Sequence, residues 1–211
     1  IYTIYGPFHR THVLYDYFDK KLKRGKKIGF NALRDLALNI ATTDSFYGGG
    51  NPWKYVKKDF VKAVLKDDWS WKRLRALRLL NRWDGHFVQG GEKQWAEGTK
   101  KAKAWVLMDM WIDEVLRMTF FDELAVPDED DGQLKLNESY RVLFNVMLHG
   151  LGYPGSLTNN YNWFQNLADP SAPQDAESII VAALDKVLEE WKELPSDIFD
   201  RGTSDYKHDW I

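Results

Sequence analysis

Apolar positions recur at helical spacing along most of the chain, and glycine, proline and acidic clusters divide them into six or seven helical segments. After Gly6-Pro7, residues 8–23 place Val13, Tyr17 and Phe18 near one face and close in the basic run KKLKRGKK, where Gly25 is a helix stop. A second segment, 31–42, takes Asn31 as its cap and carries Leu33, Leu36, Ala37 and Ile40 at helical spacing. The stretch YGGGNPW then offers Asn51 as an N-cap and Pro52 at the first helical position, where a missing N–H costs nothing. The helix that follows sets Trp53, Val56, Phe60 and Val64 on one side, with Lys54, Lys57, Lys58 and Lys62 largely elsewhere. Ser70 caps SWKRLRALRLLNRW, which turns Trp71, Leu74 and Leu77 inward and leaves Arg75, Arg78 and Arg82 as a basic stripe.

The longest segment, 99–124, would span roughly 39 Å at the helical rise. Trp105, Met108, Ile112, Val115 and Thr119 form one stripe, and Leu107, Trp111 and Met118 widen it, so this helix is expected to be enclosed as the spine of the domain. Two further helices are read at 137–149, with Tyr140, Leu143, Phe144 and Met147 inward, and at 175–194, with Ile180, Leu184, Val187, Leu188 and Trp191 inward. The stretch between them, GLGYPGSLTNNYNWFQNLADPSAPQ, is too long for a simple connector and is expected to cover another part of a larger protein. The end of the chain, GTSDYKHDWI, alternates with a period of two, which suits a strand at 201–211 belonging to a core outside this sequence. The expectation is a mainly α fold: one irregular multi-helix domain over 1–211 with a short strand-like segment at its C-terminal end.

Charge narrows the partners. Twenty-nine basic and 31 acidic side chains give a net charge of −2, so no overall field holds a polyanion and nucleic acid is not the default partner. The Lys and Arg faces read as solvated surfaces. No apolar run approaches membrane-spanning length, so no membrane partner is expected. Without cysteine there is neither a disulfide framework nor a thiolate nucleophile or metal ligand.

The candidate chemistry is thin. The three glycines at 48–50 lack the strand before and the Gly-Lys-Ser/Thr after that a phosphate cradle needs, so they read as a turn. PDEDDG at 127–132 misplaces the glycine and the final acid of a calcium loop and reads as an exposed turn. His9 and His12 stand three apart without a third ligand at a fixed interval, and no metal site is assigned. His149 beside Gly150 suits a helix C-terminus. Ser156 fails the nucleophile-elbow pattern. The neighbouring acids Asp122 and Glu123, like Asp67 and Asp68, are expected to diverge on a helix rather than converge. The chain by itself shows no active site.

One stretch points further. LLNRWDG, with a helix before it and a long aromatic helix roughly fifteen residues after it, resembles the helical region of the large chain of the penicillin amidase (penicillin acylase) family of N-terminal nucleophile hydrolases. At Trp83-Asp84-Gly85 the physical account is that Gly85 takes the left-handed helix stop, Asp84 turns back to bond local N–H groups, and Trp83 anchors the corner in the core. LRDLALNIATTDS, carrying a late Asp44, WVLMDMWIDEVLR and DAESIIVAALDKVLEEW are similar to other helices of that region, in the same order.

The resemblance implies a parent enzyme that cleaves the amide of an acylated amine of the penicillin, cephalosporin or acyl-homoserine lactone type. Its N-terminal serine would be the nucleophile and its own α-amine the base, with backbone and asparagine donors at the oxyanion. A calcium ion would bridge the chains of that parent, and a periplasmic or extracellular setting is implied. None of that serine, asparagine or calcium machinery falls on this sequence, which would be an inactive scaffold with no cofactor of its own, partnered by the remainder of its precursor: the small chain and the catalytic core. One supporting residue is implied at the head of the first helix. Arg10 offers the permanent guanidinium that bidentate work needs, whereas a gapless reading from Pro7-Phe8 puts His12 there. Trp53, Phe46 and the Asn-rich loop are the candidates for a wall of the acyl pocket.

Overall fold

A computed structural model describes residues 8, 10–43, 51–86, 100–128, 132–136, 139–153, 161–172 and 174–193. Among them the chain forms seven helices: α1 (Arg10–Leu22), α2 (Phe30–Thr43), α3 (Trp53–Lys66), α4 (Trp71–Asn81), α5 (Lys100–Leu124), α6 (Tyr140–Gly150) and α7 (Ala176–Glu193). Between α5 and α6 run two short strands, β1 (Ala125–Pro127) and β2 (Leu134–Leu136), paired antiparallel with Val126 opposite Lys135. The fold is mainly α, as the periodicity predicts. The strand expected at 201–211 lies outside the described residues. The sheet that is described went unread, because three-residue strands are too short to display a period of two.

Helix α5 is the spine. Trp105, Leu107, Met108, Trp111, Ile112, Val115, Leu116 and Phe120 are all buried, and together they cover more than half of the helix circumference. Such a helix must be wrapped, and α7, α6 and α4 wrap it, α7 most extensively, while α3 packs along α7. The central joint is aromatic: Phe60 of α3 meets Trp111 edge-on at 5.1 Å between ring centroids, and Trp53 meets Phe60 at 5.3 Å. The buried indole of Trp111 donates to the Ile180 carbonyl at 3.2 Å, which removes the penalty of an unpaired N–H.

Local signals set the helix starts. Pro52 adopts helical dihedrals (φ −68°, ψ −33°), and the Asn51 side-chain oxygen accepts from the Lys54 N–H at 3.4 Å, the cap expected from NPW. Ser70 Oγ accepts from the Arg73 N–H at 3.5 Å. Asp175 and Ser178 cap α7 reciprocally, the Ser178 N–H donating to Asp175 Oδ1 at 2.7 Å and the Asp175 N–H to Ser178 Oγ at 3.0 Å.

Two expected inward faces are corrected. Trp71 is 58% exposed, with the Arg75 guanidinium 5.8 Å from its ring; α4 buries Leu77 as expected, together with Ala76 and Leu80. Among the described side chains of α2 only Leu36 is buried; Leu33 and Ala37 are exposed, because α1 and α2 pack on each other with little else described against them. Periodicity fixes which residues share a face, not what covers it.

The corner after α4 is built as its sequence implies. Gly85 has φ +84°, the Asp84 carboxylate accepts from the His86 N–H at 3.2 Å, and buried Trp83 donates its indole N–H to the His86 carbonyl at 2.7 Å. A Cβ on Gly85 would sit 2.0 Å from Asn51 Nδ2, so the corner packs directly on the cap of α3. Gly85→Ala is therefore expected to lower stability by about 1–3 kcal/mol from backbone strain alone, more with the clash. Urea unfolding checks this; an unchanged midpoint would contradict the contact.

Candidate functional site

Three clusters of polar side chains merit a functional reading. The first surrounds the start of α1. The Phe8 ring is buried between Phe144, at 4.5 Å, and Tyr55, at 5.9 Å. Its backbone is held by buried Asn145: the Phe8 N–H donates to Asn145 Oδ1 at 2.9 Å, and Asn145 Nδ2 donates to the carbonyls of Phe8, at 3.2 Å, and Arg141, at 3.0 Å. The Tyr153 hydroxyl donates to the Tyr55 carbonyl, and burial, reinforced by Tyr153, pushes the Tyr55 phenol up to about 12. This clamp places the head of α1, where Arg10 is the first helical residue. The Arg10 side chain lies outside the described residues, as do His9, Asp44, Phe46, Ser156 and His208. His12 is half-buried beside Tyr15, ring centroids 6.1 Å apart. Replacing Asn145 by alanine would strand two buried backbone groups at Phe8, each worth about 1–3 kcal/mol. The expected result in denaturant titration is a loss of several kcal/mol, and a loss below about 1 kcal/mol would show the clamp to be idle.

The second cluster is ionic. Arg73 reaches across to α7 with both arms, its Nε donating to Asp185 Oδ1 at 2.7 Å and its Nη2 to Asp185 Oδ2 at 2.6 Å, while Nη1 donates to Asp67 at 2.6 Å. The Asp185 hydrogen bond leads the effects that hold the guanidinium above its ordinary range. Around it opens a groove of about 390 Å³, lined by Lys66, Asp67, Arg73, Asp175, Glu177 and Asp185. Its charges answer one another: Glu177 takes Lys62, at 2.6 Å, and Lys66. On the far side of α7, Glu114 accepts from Lys186 at 3.0 Å and from Arg117 at 3.1 Å. Burial alone would raise the Glu114 carboxyl, but hydrogen bonds from Arg117 and Lys186, and then their charges, hold it below the usual glutamate range. Its stabilising share is thus present above the ordinary glutamate pKa and lost as pH falls through the depressed folded value. Glu114→Gln is expected to flatten that acid limb in thermal melts between pH 6 and 3; an unaltered limb would contradict it.

The third cluster lies at the end of α5, where the neighbouring acids Asp122 and Glu123 each take a partner from the loop 161–172. Asp122 Oδ2 accepts from the Leu167 N–H at 2.6 Å, and Glu123 Oε1 accepts from the Tyr161 hydroxyl at 3.3 Å. Above them Trp163 packs on Phe120 and Tyr161, and Phe164 closes on Gly150. Burial, and then the neighbouring Asp122 carboxylate, push the Glu123 carboxyl up to about 8.

None of the clusters joins a nucleophile to a base, and among the described residues no three metal-ligating side chains gather. Trp53, expected as a possible pocket wall, is core. Arg73, Asn145 and Glu114 were not singled out from sequence; only Arg73 carried a signal, three residues after a cap. Comparison with protein-family models, with curated proteins and with solved structures returns no significant match.

Proposed function

We propose that this chain is the helical scaffold of a larger amidohydrolase resembling the penicillin amidases, whose parent cleaves the amide of an acylated amine with a nucleophile that this chain does not supply. The observation that carries the reading is the Trp83-Asp84-Gly85 corner: the tryptophan is in the core, the glycine is left-handed and the aspartate turns back on the chain, in a helical domain with an enclosed aromatic spine behind it. Under this reading Arg10 or His12, at the head of α1, supports an active site completed by the rest of the precursor, and any calcium belongs to that remainder. Helices α1 and α2 are the docking side, since Leu22, Phe30, Leu33 and Leu38 stand exposed there.

A non-enzymatic interaction module is the second reading, favoured by Trp69 and Trp71, which are 80% and 58% exposed at the start of α4. Hydrolysis of a penicillin, a cephalosporin and an acyl-homoserine lactone by the complete gene product separates the two. Turnover of at least one by the complete product, and none by residues 1–211 alone, is expected; no turnover by the complete product would leave the module.

A further inference from the structure

Helix α4 turns a face to solvent that the core does not explain. Its buried residues Ala76, Leu77 and Leu80 lie on one side. On the opposite side Trp71, Arg75, Arg78 and Arg82 stand exposed, within about 60° of arc and roughly 16 Å of helix axis. Trp69, more exposed still, precedes them. The helix contains no acid, and among the described residues no ion pair reaches Arg75, Arg78 or Arg82, whereas Arg34, Arg73 and Arg117 each hold a carboxylate.

These residue types suit a protein partner. A guanidinium is weakly hydrated and its planar fork matches a carboxylate with two hydrogen bonds. Tryptophan and arginine are also the side chains on which binding energy concentrates at interfaces. Arg75 lies 5.8 Å from the Trp71 ring, so cation and apolar anchor meet a partner together.

The ends of the stripe set the size of that partner. Asp67 and Asp68 precede Trp69 and Asp84 follows Arg82, in a chain of net charge −2. A long polyanion or a broad anionic surface would meet carboxylates at either end, while a short acidic segment fits between them. The three arginines follow one another by three and four residues, so a second helix laid along α4 matches them when its own acids recur at that spacing.

We propose that the outer face of α4 docks a short acidic helix of a partner protein, with carboxylates on Arg75, Arg78 and Arg82 and an apolar end on Trp69 and Trp71. The inference is independent of the enzymatic reading, which docks the chain through α1 and α2.

Fluorescence anisotropy with a labelled alanine-based helical peptide tests it, the peptide carrying three glutamates spaced by three and four residues and leucines one turn away. Binding is expected at about 0.01 M ionic strength and at least about tenfold weaker at 0.15 M, as the screening length falls from about 30 to 8 Å. Arg75→Gln with Arg78→Gln should weaken it at least about tenfold, and Trp71→Ala comparably, with circular dichroism unchanged. Lys26→Gln with Lys27→Gln removes the same charge elsewhere and should leave it unaltered. Absence of binding at low salt, or an equal loss in the lysine pair, would overturn the proposal. So would tighter binding of a single-stranded oligonucleotide or of anionic lipid vesicles through the same arginines. Replacing the peptide's glutamates by glutamines needs no variant of the chain, and retained binding there would overturn it too.

Discussion

A helix of 25 residues whose apolar side chains cover more than half of its circumference has little face to give to water, and the rest of the fold answers that demand. Burying a side chain such as Trp111 or Leu116 is worth roughly 1.5–3 kcal/mol against exposure, but only where a partner fits it. Helices α7, α6 and α4 supply partners around α5, and α3 braces α7 from outside, carrying Phe60 into contact with Trp111. Because these helices are held by side-chain burial rather than by a sheet, their relative placement depends on a few polar fastenings: Arg73 to Asp185 between α4 and α7, Lys186 to Glu114 between α7 and α5, and Asn145 to the backbone of Phe8.

Those fastenings differ in what they contribute. The Asn145 clamp satisfies buried backbone groups that have no other described partner, so its loss leaves a penalty behind. The ion pairs of the groove are more exposed and serve register more than stability, since solvent screens them and side-chain ordering offsets their attraction. The acids at the end of α5 are of a third kind: each accepts from a different residue of one loop, Asp122 from the Leu167 N–H and Glu123 from the Tyr161 hydroxyl.

What the sequence made legible is local. Asn51-Pro52, Ser70 and Trp83-Asp84-Gly85 act within a few residues, and each forms as its chemistry demands; the packing of Gly85 against Asn51 then joins two of these motifs across 34 positions. The enclosure of α5 was legible too, because a stripe that wide leaves little solvent face. The rest was hidden by distance along the chain. Arg73 meets Asp185 across 112 positions and Phe8 meets Asn145 across 137, and no periodicity encodes such pairings. Trp71 failed because its face was misplaced: it stands half a turn around α4 from Leu80, opposite the side that Ala76, Leu77 and Leu80 bury. Asp122 and Glu123 find their partners in a loop 45 and 38 positions away, which no local pattern announces.

The scaffold reading gives the corner, the spine and the exposed face of α1 and α2 a single explanation: the domain is shaped on one side by its own core and on the other by a body it serves. The intact mass of the native gene product tests this most directly. The account expects a mass well above the 24.7 kDa of this chain, with a segment preceding it that is headed, after self-cleavage, by serine. A native product of 24.7 kDa would contradict it, and would identify these helices as a self-sufficient module whose exposed tryptophans and leucines await a separate partner.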